Sequence, residues 1–361
     1  MALASGWRSK IEGVFEMTGQ SLIVPSRRGY LNTALTGLPA PVAVDAARGV
    51  LEAWASGTLN WFHAVDQLDV ARRAFASFVG VASERIGVGH TVAATLSGIA
   101  ASLPNDAVVL APEGEHNSNI YPYLHQAPRG VKLEFVPLEK LADAIRPHHA
   151  AVAFGLVQSA DGRIADLPSI ANAARAVGAL TLVDVTQACG WLRFDPDLCD
   201  VFISACYKWL MTPNGPAFIG FSAQALDRLP AAHRSWIGNR DVHAAPFGPG
   251  GEASLDARRF DVVPNFIAIA AATASLNLLA DIGVERIEEH NLRLVRLFGE
   301  ALDLPPHNSA IISVEAGSVT SISGDLSATV RSGRARFSFH LYNDDSDVDR
   351  AVAFVRTARG M

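Results

Sequence analysis

Six short apolar segments, separated by longer alanine-rich stretches, constrain the fold of this chain most strongly. They lie at 107–112 (AVVLAP), 132–138, 150–157, 180–185, 201–205 and 216–222. Strands that are apolar along their whole length must be covered on both faces, and helical patterns such as 169–178 (SIANAARAVG) lie between them. This alternation is typical of a mostly parallel sheet between two layers of helices. We therefore predict an α/β fold, with this sheet in a large domain.

The pattern changes after about residue 245, where glycine and charged residues become frequent. We predict one long helix over 264–283, ended by Gly283, and a second helix over 283–302. Three predicted strands follow, at 310–316, 319–323 and 334–342. These elements indicate a small α+β C-terminal domain. We predict three parts: residues 1–35 form an N-terminal segment, residues 36–250 form the large domain, and residues 251–361 form the small domain. The N-terminal segment is expected to pack with the small domain.

The composition argues against several classes of protein. The net charge is -6 and the arginines are scattered singly, so we expect no nucleic-acid partner. No apolar run reaches the roughly 18 residues that a membrane-spanning helix needs, and the N-terminus lacks the apolar core of a signal peptide. We therefore expect a cytoplasmic protein. Cys189, Cys199 and Cys206 lack metal-ligand spacing, which predicts reduced core thiols and no metal site.

Polar side chains follow two of the predicted strands at the point where each strand ends. Asp184 ends the segment LTLVD, Gln187 comes three residues later, and Lys208 follows VFISACY. In an open parallel sheet, ligands bind beyond the carboxyl ends of the strands, so these three side chains can surround one ligand. Taken singly, an aspartate here is as well explained as a turn or helix cap. A lysine beside aromatic residues is as well explained as a surface side chain.

The segments VDVTQACG, YKWLMTPNGPAF and ARFSFHLYN resemble the class V aminotransferase superfamily. This superfamily comprises fold type I pyridoxal phosphate enzymes and includes cysteine desulfurases, kynureninase and isopenicillin N epimerase-like proteins. The resemblance runs from about residue 30 to the segment that begins at residue 333. It implies the fold of a fold type I PLP-dependent transferase, with a seven-stranded type of sheet, and it implies pyridoxal 5'-phosphate as the cofactor.

The resemblance also implies a role for each residue around the cofactor ring. Lys208 looks like the lysine that binds the cofactor covalently, and its free amine can then move the proton at the substrate α-carbon. Asp184 looks like the partner of the pyridinium nitrogen. Gln187 matches the position that donates a hydrogen bond to the phenolic oxygen. His116, in EHNSN, matches the histidine that stacks on the ring and serves in proton transfer.

The substrate and phosphate ends of the site are implied in the same way. Arg336 matches the arginine that binds the substrate α-carboxylate, a task suited to a planar fork of donors. Asn32 matches a residue of the loop that lines the substrate side, although a turn asparagine explains it as well. Relatives bind the phosphate with a glycine and two hydroxyl residues at the start of a helix. Here those positions read Thr91, Val92 and Ala93, so backbone amides and the Thr91 hydroxyl must do this work, with Tyr207 as a further contact.

The sequence favours one activity over another within this superfamily. A cysteine desulfurase needs a nucleophilic thiolate shortly before the arginine strand, and residues 300–336 contain no cysteine. We predict α-proton abstraction from an amino acid or cysteine conjugate, with carbon-sulfur lyase or aminotransferase chemistry in specialised, antibiotic-type metabolism. An epimerase, a decarboxylating or deaminating enzyme and a catalytically degenerate binding protein remain alternatives. The resemblance also implies a homodimer with shared active sites, with 235–251 as the crossing loop.

Overall fold

The computed structural model describes residues 28–242, 251–317, 319, 321–322, 324–331 and 333–360. Two sequence predictions therefore fall partly outside the described residues. Of the N-terminal segment, only 28–35 is described, and 243–250 of the predicted crossing loop are not.

The large sheet contains seven strands within the described residues. They are β1 (Ile86–Gly89), β2 (Val108–Pro112), β3 (Lys132–Val136), β4 (His149–Gly155), β5 (Leu180–Asp184), β6 (Val201–Ala205) and β7 (Ala217–Phe221). Their order is β1-β7-β6-β5-β4-β2-β3, and only β7 runs antiparallel to its neighbours in this sheet. The α/β fold with a mostly parallel sheet is confirmed. All six apolar segments form strands, whereas the four-residue β1, with glycine at two positions, was not predicted.

Ten α-helices occur among the described residues. They are α1 (Pro41–Ala55), α2 (Trp61–Val79), α3 (Val92–Ser102), α4 (Asn117–Leu124), α5 (Leu141–Ala144), α6 (Leu167–Val177), α7 (Ala223–Arg228), α8 (Phe266–Ile282), α9 (Val284–Ala301) and α10 (Asp345–Ala358). The two long C-terminal helices meet at Gly283, as the sequence predicts. No single described helix is long and apolar enough to cross a membrane, and α8 with α9 meets that test only as a pair bent by 79°.

The small sheet contains β8 (Ile311–Glu315), β9 (Thr329–Arg331) and β10 (Arg334–Ser338), in the order β8-β10-β9. The strand predicted over 319–323 is wrong, because its described residues 319, 321 and 322 form no strand. The third strand of the small sheet is β9, which pairs with β10. Two residues join β9 to β10, and one of them is Gly333 at φ 72°. Two-residue connections of this kind favour an antiparallel hairpin.

The hydrophobic cores show which segments pack together. Leu31 packs in one cluster with residues of α9, β8, β10 and α10, and Tyr30 and Asn32 form bridges to Ser327 and Ser338. The helix α8 instead contributes most of its buried residues to the core of the large sheet. The predicted domain boundary at residue 251 stays a prediction. Residues 266–282, which follow that boundary, pack mainly against the core of the large sheet.

A buried ion pair ties α2 to the segment before α8. Arg72 Nη2 lies 2.6 Å from Asp261 Oδ2, and both side chains are buried. Asp261 Oδ1 also accepts a hydrogen bond from the backbone N–H of Val88 in β1 (2.8 Å), and Arg72 donates to the carbonyl of Ile86. Since both ends of the pair also bind the backbone of β1, the pair positions the strand that leads to α3.

We expect the variant Arg72→Met to lower the free energy of unfolding by roughly 3 to 5 kcal/mol, because it leaves the Asp261 carboxylate buried without its partner. Urea denaturation followed by circular dichroism measures the change. The control is Arg48→Met, which removes an exposed pair with Asp45 and should cost at most about 1 kcal/mol. Equal effects of the two substitutions would contradict this assignment.

Candidate active site

The carboxyl ends of six strands, β1 to β6, lie at one edge of the large sheet, because only β7 runs in the opposite direction. Five of them, β1, β2, β4, β5 and β6, lead into the candidate site. A cavity of about 280 Å³ lies at this edge. Its lining residues come from the turns after these strands: Thr91, Val92, Glu115, His116, Ser118, Gly155, Val157, Ser159, Asp184, Thr186, Gln187, Ala205, Tyr207, Lys208 and Asn214.

Lys208 lies in the wall of this cavity and is 7% exposed. Burial lowers the pKa of Lys208 to about 8; the negative charge of Asp184 opposes this shift, and the positive charges of Arg336 and Arg331 add to it. At neutral pH a lysine with this pKa is uncharged in roughly a tenth of molecules, far more than an ordinary lysine. The side chain is therefore both accessible to a ligand and prepared to act as a nucleophile or base.

Asp184 ends β5 and lines the same cavity. Its Oδ1 accepts a hydrogen bond from the backbone N–H of Thr186 (2.9 Å), which fixes the carboxylate at the strand end. Among the described residues no donor contacts Oδ2. Asp184 can therefore act both as a turn residue and as a ligand-binding residue. Its Oδ1 stabilises the turn, and its Oδ2 can bind a cationic N–H group.

His116 precedes α4 and lines the cavity beside Glu115. Its Nδ1 accepts a hydrogen bond from the backbone N–H of Ser118 (3.2 Å), so the neutral ring carries its proton on Nε2. Burial lowers the pKa of His116 first, and the charge of Lys208 lowers it further. The histidine is thus neutral near pH 7, as a side chain that stacks on an aromatic ring or transfers a proton requires.

Glu115 is a site residue that the sequence reasoning missed. Its carboxylate accepts hydrogen bonds from the backbone N–H of Gly155 (2.6 Å), the backbone N–H of His116 (2.7 Å) and Gln158 Nε2 (3.1 Å). Burial raises the pKa of Glu115, and these three donors oppose the shift. The carboxylate joins the ends of β2 and β4. The sequence feature that could have indicated Glu115 is its position directly before His116.

Gln187 is 5% exposed, and its amide makes three hydrogen bonds. Nε2 donates to the carbonyl of Ala34 (2.9 Å) and to Ser159 Oγ (3.0 Å), while Oε1 accepts from Trp209 Nε1 (2.9 Å). The sequence predicted a hydrogen bond from this amide to the phenolic oxygen of a cofactor. That bond requires one of the two Nε2 hydrogens to leave its present acceptor.

The N-terminus of α3 forms the end of the cavity that was predicted to bind a phosphate. Thr91 is the N-cap of this helix, with its Oγ1 accepting from the backbone N–H of Ala94 (3.2 Å). Thr91, Val92 and Tyr207 line the cavity, whereas Ala93 does not. Asn214, which the sequence reasoning missed, lines it as well. The cavity lining thus includes a helix N-terminus, two hydroxyl groups and one amide, and the phosphate role of this end stays a prediction.

Arg336 lies in β10 with its side chain largely buried, and it contacts Ser159 of the cavity lining without lining the cavity itself. Nη1 donates to the carbonyl and the hydroxyl of Ser159, but Nε and Nη2 have no partner in the described part of the chain. Buried donors without acceptors are rare in folded proteins. Two neighbouring N–H donors fit a carboxylate, so Arg336 has the form of a carboxylate site that a substrate completes.

Asn32 is not among the residues that line the cavity, and its predicted substrate role stays a prediction. It is buried between the N-terminal segment and the small sheet, where its Oδ1 accepts a hydrogen bond from Thr329 Oγ1 (2.7 Å). Its backbone forms a bridge with Ser338. These contacts explain Asn32 as a residue that attaches the N-terminal segment to the small domain.

Arg331 is a second charged residue that the sequence reasoning missed. It pairs with Arg334 across β9 and β10, so both lie on the same face of the small sheet as Arg336. Its positive charge lowers the pKa values of Lys208, His116 and Arg336, the last of which falls to about 10, mainly through burial. The guanidinium groups of Arg331 and Arg336 therefore create a positive field that acts on Lys208 and His116.

Glu134, His148 and His149 form a separate cluster with the spacing of metal ligands, at the opposite edge of the sheet where β4 begins. His149 Nδ1 accepts a hydrogen bond from the backbone N–H of Arg146 (2.9 Å), so its Nε2 carries the proton and donates to Glu134 (3.0 Å). A metal at Nε2 would have to displace that proton. The cluster is better explained as a hydrogen-bonded pair with His148 beside it.

Solved structures of pyridoxal phosphate enzymes share this architecture. The cysteine desulfurase CsdA from Escherichia coli superposes with a TM-score of 0.80 and 19% identity over 96% of this chain and 98% of that one. The complex of the cystine C-S lyase C-DES with cysteine persulfide gives 0.82 and 18%, over 91% and 97%. At these identities the likeness shows the fold, which is that of the fold type I enzymes.

The sequence model of the family Aminotransferase class-V matches residues 30–322, and the chain belongs to this family of pyridoxal phosphate-dependent enzymes. The uncharacterized aminotransferase YcbU from Bacillus subtilis is 26% identical over 64% of this chain and 64% of that protein, so the chain spans slightly less than two thirds of it. A probable cysteine desulfurase from Ureaplasma parvum is 22% identical over 91% and 92%. Isopenicillin N epimerase from Streptomyces clavuligerus is 29% identical over 54% and 51%.

The depressed pKa of Lys208 predicts how the apoprotein captures pyridoxal phosphate at different pH values. The uncharged amine is the reacting form, so the rate of capture should rise with pH with a midpoint near pH 8, rather than above 10, and level off about one unit above that midpoint. Stopped-flow absorbance in the visible range measures it. In Arg331→Gln the midpoint should move upward by roughly 0.2 to 0.5 of a pH unit, because a positive charge is lost.

Arg334→Gln is the matched control for this experiment. Arg334 lies on the same sheet face, but it donates to the hydroxyl and carbonyl of Ser313 and is not among the charges that shift Lys208. Its midpoint should equal that of the wild type. A rate that continued to rise above pH 9.5 in the wild type would contradict the assignment of Lys208 as the buried amine.

Proposed function

We propose that this class V enzyme abstracts the α-proton of an amino acid or cysteine conjugate, with Lys208 as the base, and continues with carbon-sulfur lyase or aminotransferase chemistry. The observation that carries the proposal is the placement of Lys208, buried and with a lowered pKa, opposite Asp184 in one cavity. A role in specialised, antibiotic-type metabolism is part of the proposal.

The residues of the cavity fit pyridoxal phosphate. Asp184 offers a free carboxylate oxygen to a pyridinium N–H, His116 offers a neutral ring face, and the start of α3 with Tyr207 offers donors to a phosphate. Lys208 supplies the amine that holds the cofactor covalently. When bound, the cofactor accepts the electron pair that the substrate α-carbon releases.

The two ends of the substrate are bound by different parts of the chain. Arg336 presents Nε and Nη2 to the α-carboxylate, which orients the Cα–H bond relative to Lys208. The Lys208 amine, once released from the cofactor, takes the proton from Cα, and its lowered pKa makes the uncharged form that does this more available than in an ordinary lysine. His116 is positioned for a second proton transfer, to or from the substrate side chain.

The burial of the cysteines argues against a persulfide mechanism like that of a cysteine desulfurase. Cys189, Cys199 and Cys206 are the three cysteines of the chain, and all are free and buried. Burial raises the pKa of Cys189 to about 12 and raises that of Cys206 well above its usual range. None of them lines the cavity. A thiol that is buried and protonated does not attack a substrate sulfur atom.

We expect the holoenzyme to convert S-substituted L-cysteines to equal amounts of free thiol, pyruvate and ammonia. Loss of the α-proton and cleavage of the Cβ–S bond release the thiol, and one water molecule then converts the three-carbon product to pyruvate and ammonia. A thiol reagent and coupled dehydrogenase assays measure the three products. Lys208→Ala should reduce the rate by at least about 1000-fold, since both the covalent attachment and the base are lost.

Other outcomes of this assay would select other chemistry. Accumulation of pyridoxamine phosphate without thiol or pyruvate would favour aminotransfer, inverted substrate would favour an epimerase, and carbon dioxide would favour decarboxylation. Binding of pyridoxal phosphate without turnover of any amino acid would favour a catalytically degenerate binding protein. Visible absorbance that persists unchanged in Lys208→Ala would contradict the assignment of that lysine.

We also propose that the chain forms a homodimer through an apolar surface around α1, α2 and the start of α8. This surface consists of Leu51, Trp54, Trp61, Phe62 and Val263, which are 45%, 60%, 58%, 61% and 38% exposed. Trp61 packs edge-on against Phe266 at 5.4 Å, so α2 and α8 carry one continuous part of it. Monomeric proteins rarely expose several large apolar side chains together.

The double variant Trp61→Glu with Phe62→Ser should convert a dimer to a monomer, because two charged or polar groups replace apolar interface contacts. Light scattering coupled to size-exclusion chromatography measures the mass. Leu255→Ser is the control, since Leu255 is 78% exposed but lies outside this surface. A wild-type mass of one subunit at micromolar concentration would refute the proposal.

A further inference from the structure

Two tryptophan side chains bind Gln187 from the side away from the cavity. Trp209 Nε1 donates to the amide oxygen Oε1 (2.9 Å), and Trp191 Nε1 donates to the backbone carbonyl (2.6 Å). Both indole rings are fully buried and lie 5.6 Å apart. One ring therefore contacts the side chain of Gln187, and the other contacts only its backbone, which provides a matched pair of contacts.

The partners of the amide fix which end of it faces the cavity. An indole N–H can only donate, so Oε1 must point toward Trp209. The carbonyl of Ala34 can only accept, so Nε2 must point toward Ala34 (2.9 Å). A flipped amide would place two donors against each other at Trp209 and two acceptors against each other at Ala34. The orientation is thus determined by two groups that have no alternative role.

One amide hydrogen of Gln187 remains available to a ligand. It is now donated to Ser159 Oγ (3.0 Å), and both side chains line the cavity. A hydroxyl both donates and accepts, and Ser159 Oγ also receives a hydrogen bond from Arg336 Nη1 (3.1 Å). This contact can therefore be exchanged for a ligand without leaving Ser159 unpaired. Gln187 offers the cavity a donor and no acceptor.

Resting on the proposed cofactor site, we propose that Trp209 is a positioning residue that holds Gln187 as an obligatory hydrogen-bond donor to the phenolic oxygen of pyridoxal phosphate. Trp209 directly follows Lys208, so one turn carries both the covalent attachment and the group that orients the amide. The turn is itself fixed, because the carbonyl of Trp209 accepts a hydrogen bond from His340 Nε2 (3.1 Å). A donor stabilises the ionised oxygen, whereas a flipped amide would repel it.

The test compares Trp209→Phe with Trp191→Phe in purified holoenzyme, by titrating the visible absorption band of the bound cofactor with pH. Loss of the donor destabilises the form with more negative charge on the phenolic oxygen, so the apparent pKa of the band should rise. We expect a rise of about 0.5 to 1 unit in Trp209→Phe and less than about 0.2 unit in Trp191→Phe.

A double-mutant cycle shows whether Trp209 acts through Gln187. Gln187→Leu should raise the same pKa by at least as much, and Trp209→Phe should then add nothing in the Gln187→Leu background. If the phenyl ring packs too poorly for Trp209→Phe to fold, the benzothienyl analogue of tryptophan at position 209 gives the same test. It keeps the size and shape of the indole and lacks only the N–H group.

The outcomes separate this inference from the cofactor proposal. A visible band whose pKa equals that of the wild type in Trp209→Phe, or equal shifts in Trp209→Phe and Trp191→Phe, would overturn the positioning role while leaving the cofactor site intact. Wild-type protein that forms no visible band with pyridoxal phosphate would overturn the cofactor proposal itself, and this inference with it.

Discussion

The shared carboxyl edge of the large sheet is the constraint on which the candidate site depends. Parallel strands end at the same edge, so the turns after β1, β2, β4, β5 and β6 converge although they lie as far apart in the sequence as Thr91 and Lys208. Charged groups at such an edge are partly removed from water, and this makes their mutual interactions strong. The lowered pKa of Lys208 follows first from that burial and then from the unequal charges around it.

The positive charges of Arg331 and Arg336 and the negative charge of Asp184 act on Lys208 in opposite directions. A stronger effect of Asp184 would bring the pKa of the amine closer to that of an ordinary lysine, and a stronger effect of the arginines would lower that pKa further. The arginines lie on the small sheet and the aspartate on the large one. The relative position of the two sheets therefore sets both the carboxylate site and the basicity of the lysine.

Strands and site residues could be predicted from the sequence where one short segment contains all the residues that identify them. Buried strands are apolar along their length, so five of the seven strands of the large sheet could be predicted in this way, and the ends of β5 and β6 located Asp184 and Lys208. The edge strand β3 was also predicted, although it is largely exposed. The strand β9 could not be located, because its position follows from a two-residue turn rather than from its own composition. Glu115 and Ser159 escaped notice for a related reason, since their roles come from partners that lie 40 and 177 residues away.

The phosphate end of the cavity illustrates the same dependence on tertiary structure. Val92 and Ala93 have no hydroxyl groups, and the Thr91 oxygen already caps α3, although its hydrogen remains free to donate. On the proposed site, Val92 and Ala93 contribute no side-chain donor to the phosphate, so the backbone amides of α3 act together with Thr91, Tyr207 and Asn214. Retention of the cofactor then depends more on the covalent bond to Lys208 and on the ring contacts of Asp184 and Gln187, which explains why the orientation of one amide has consequences for the whole site.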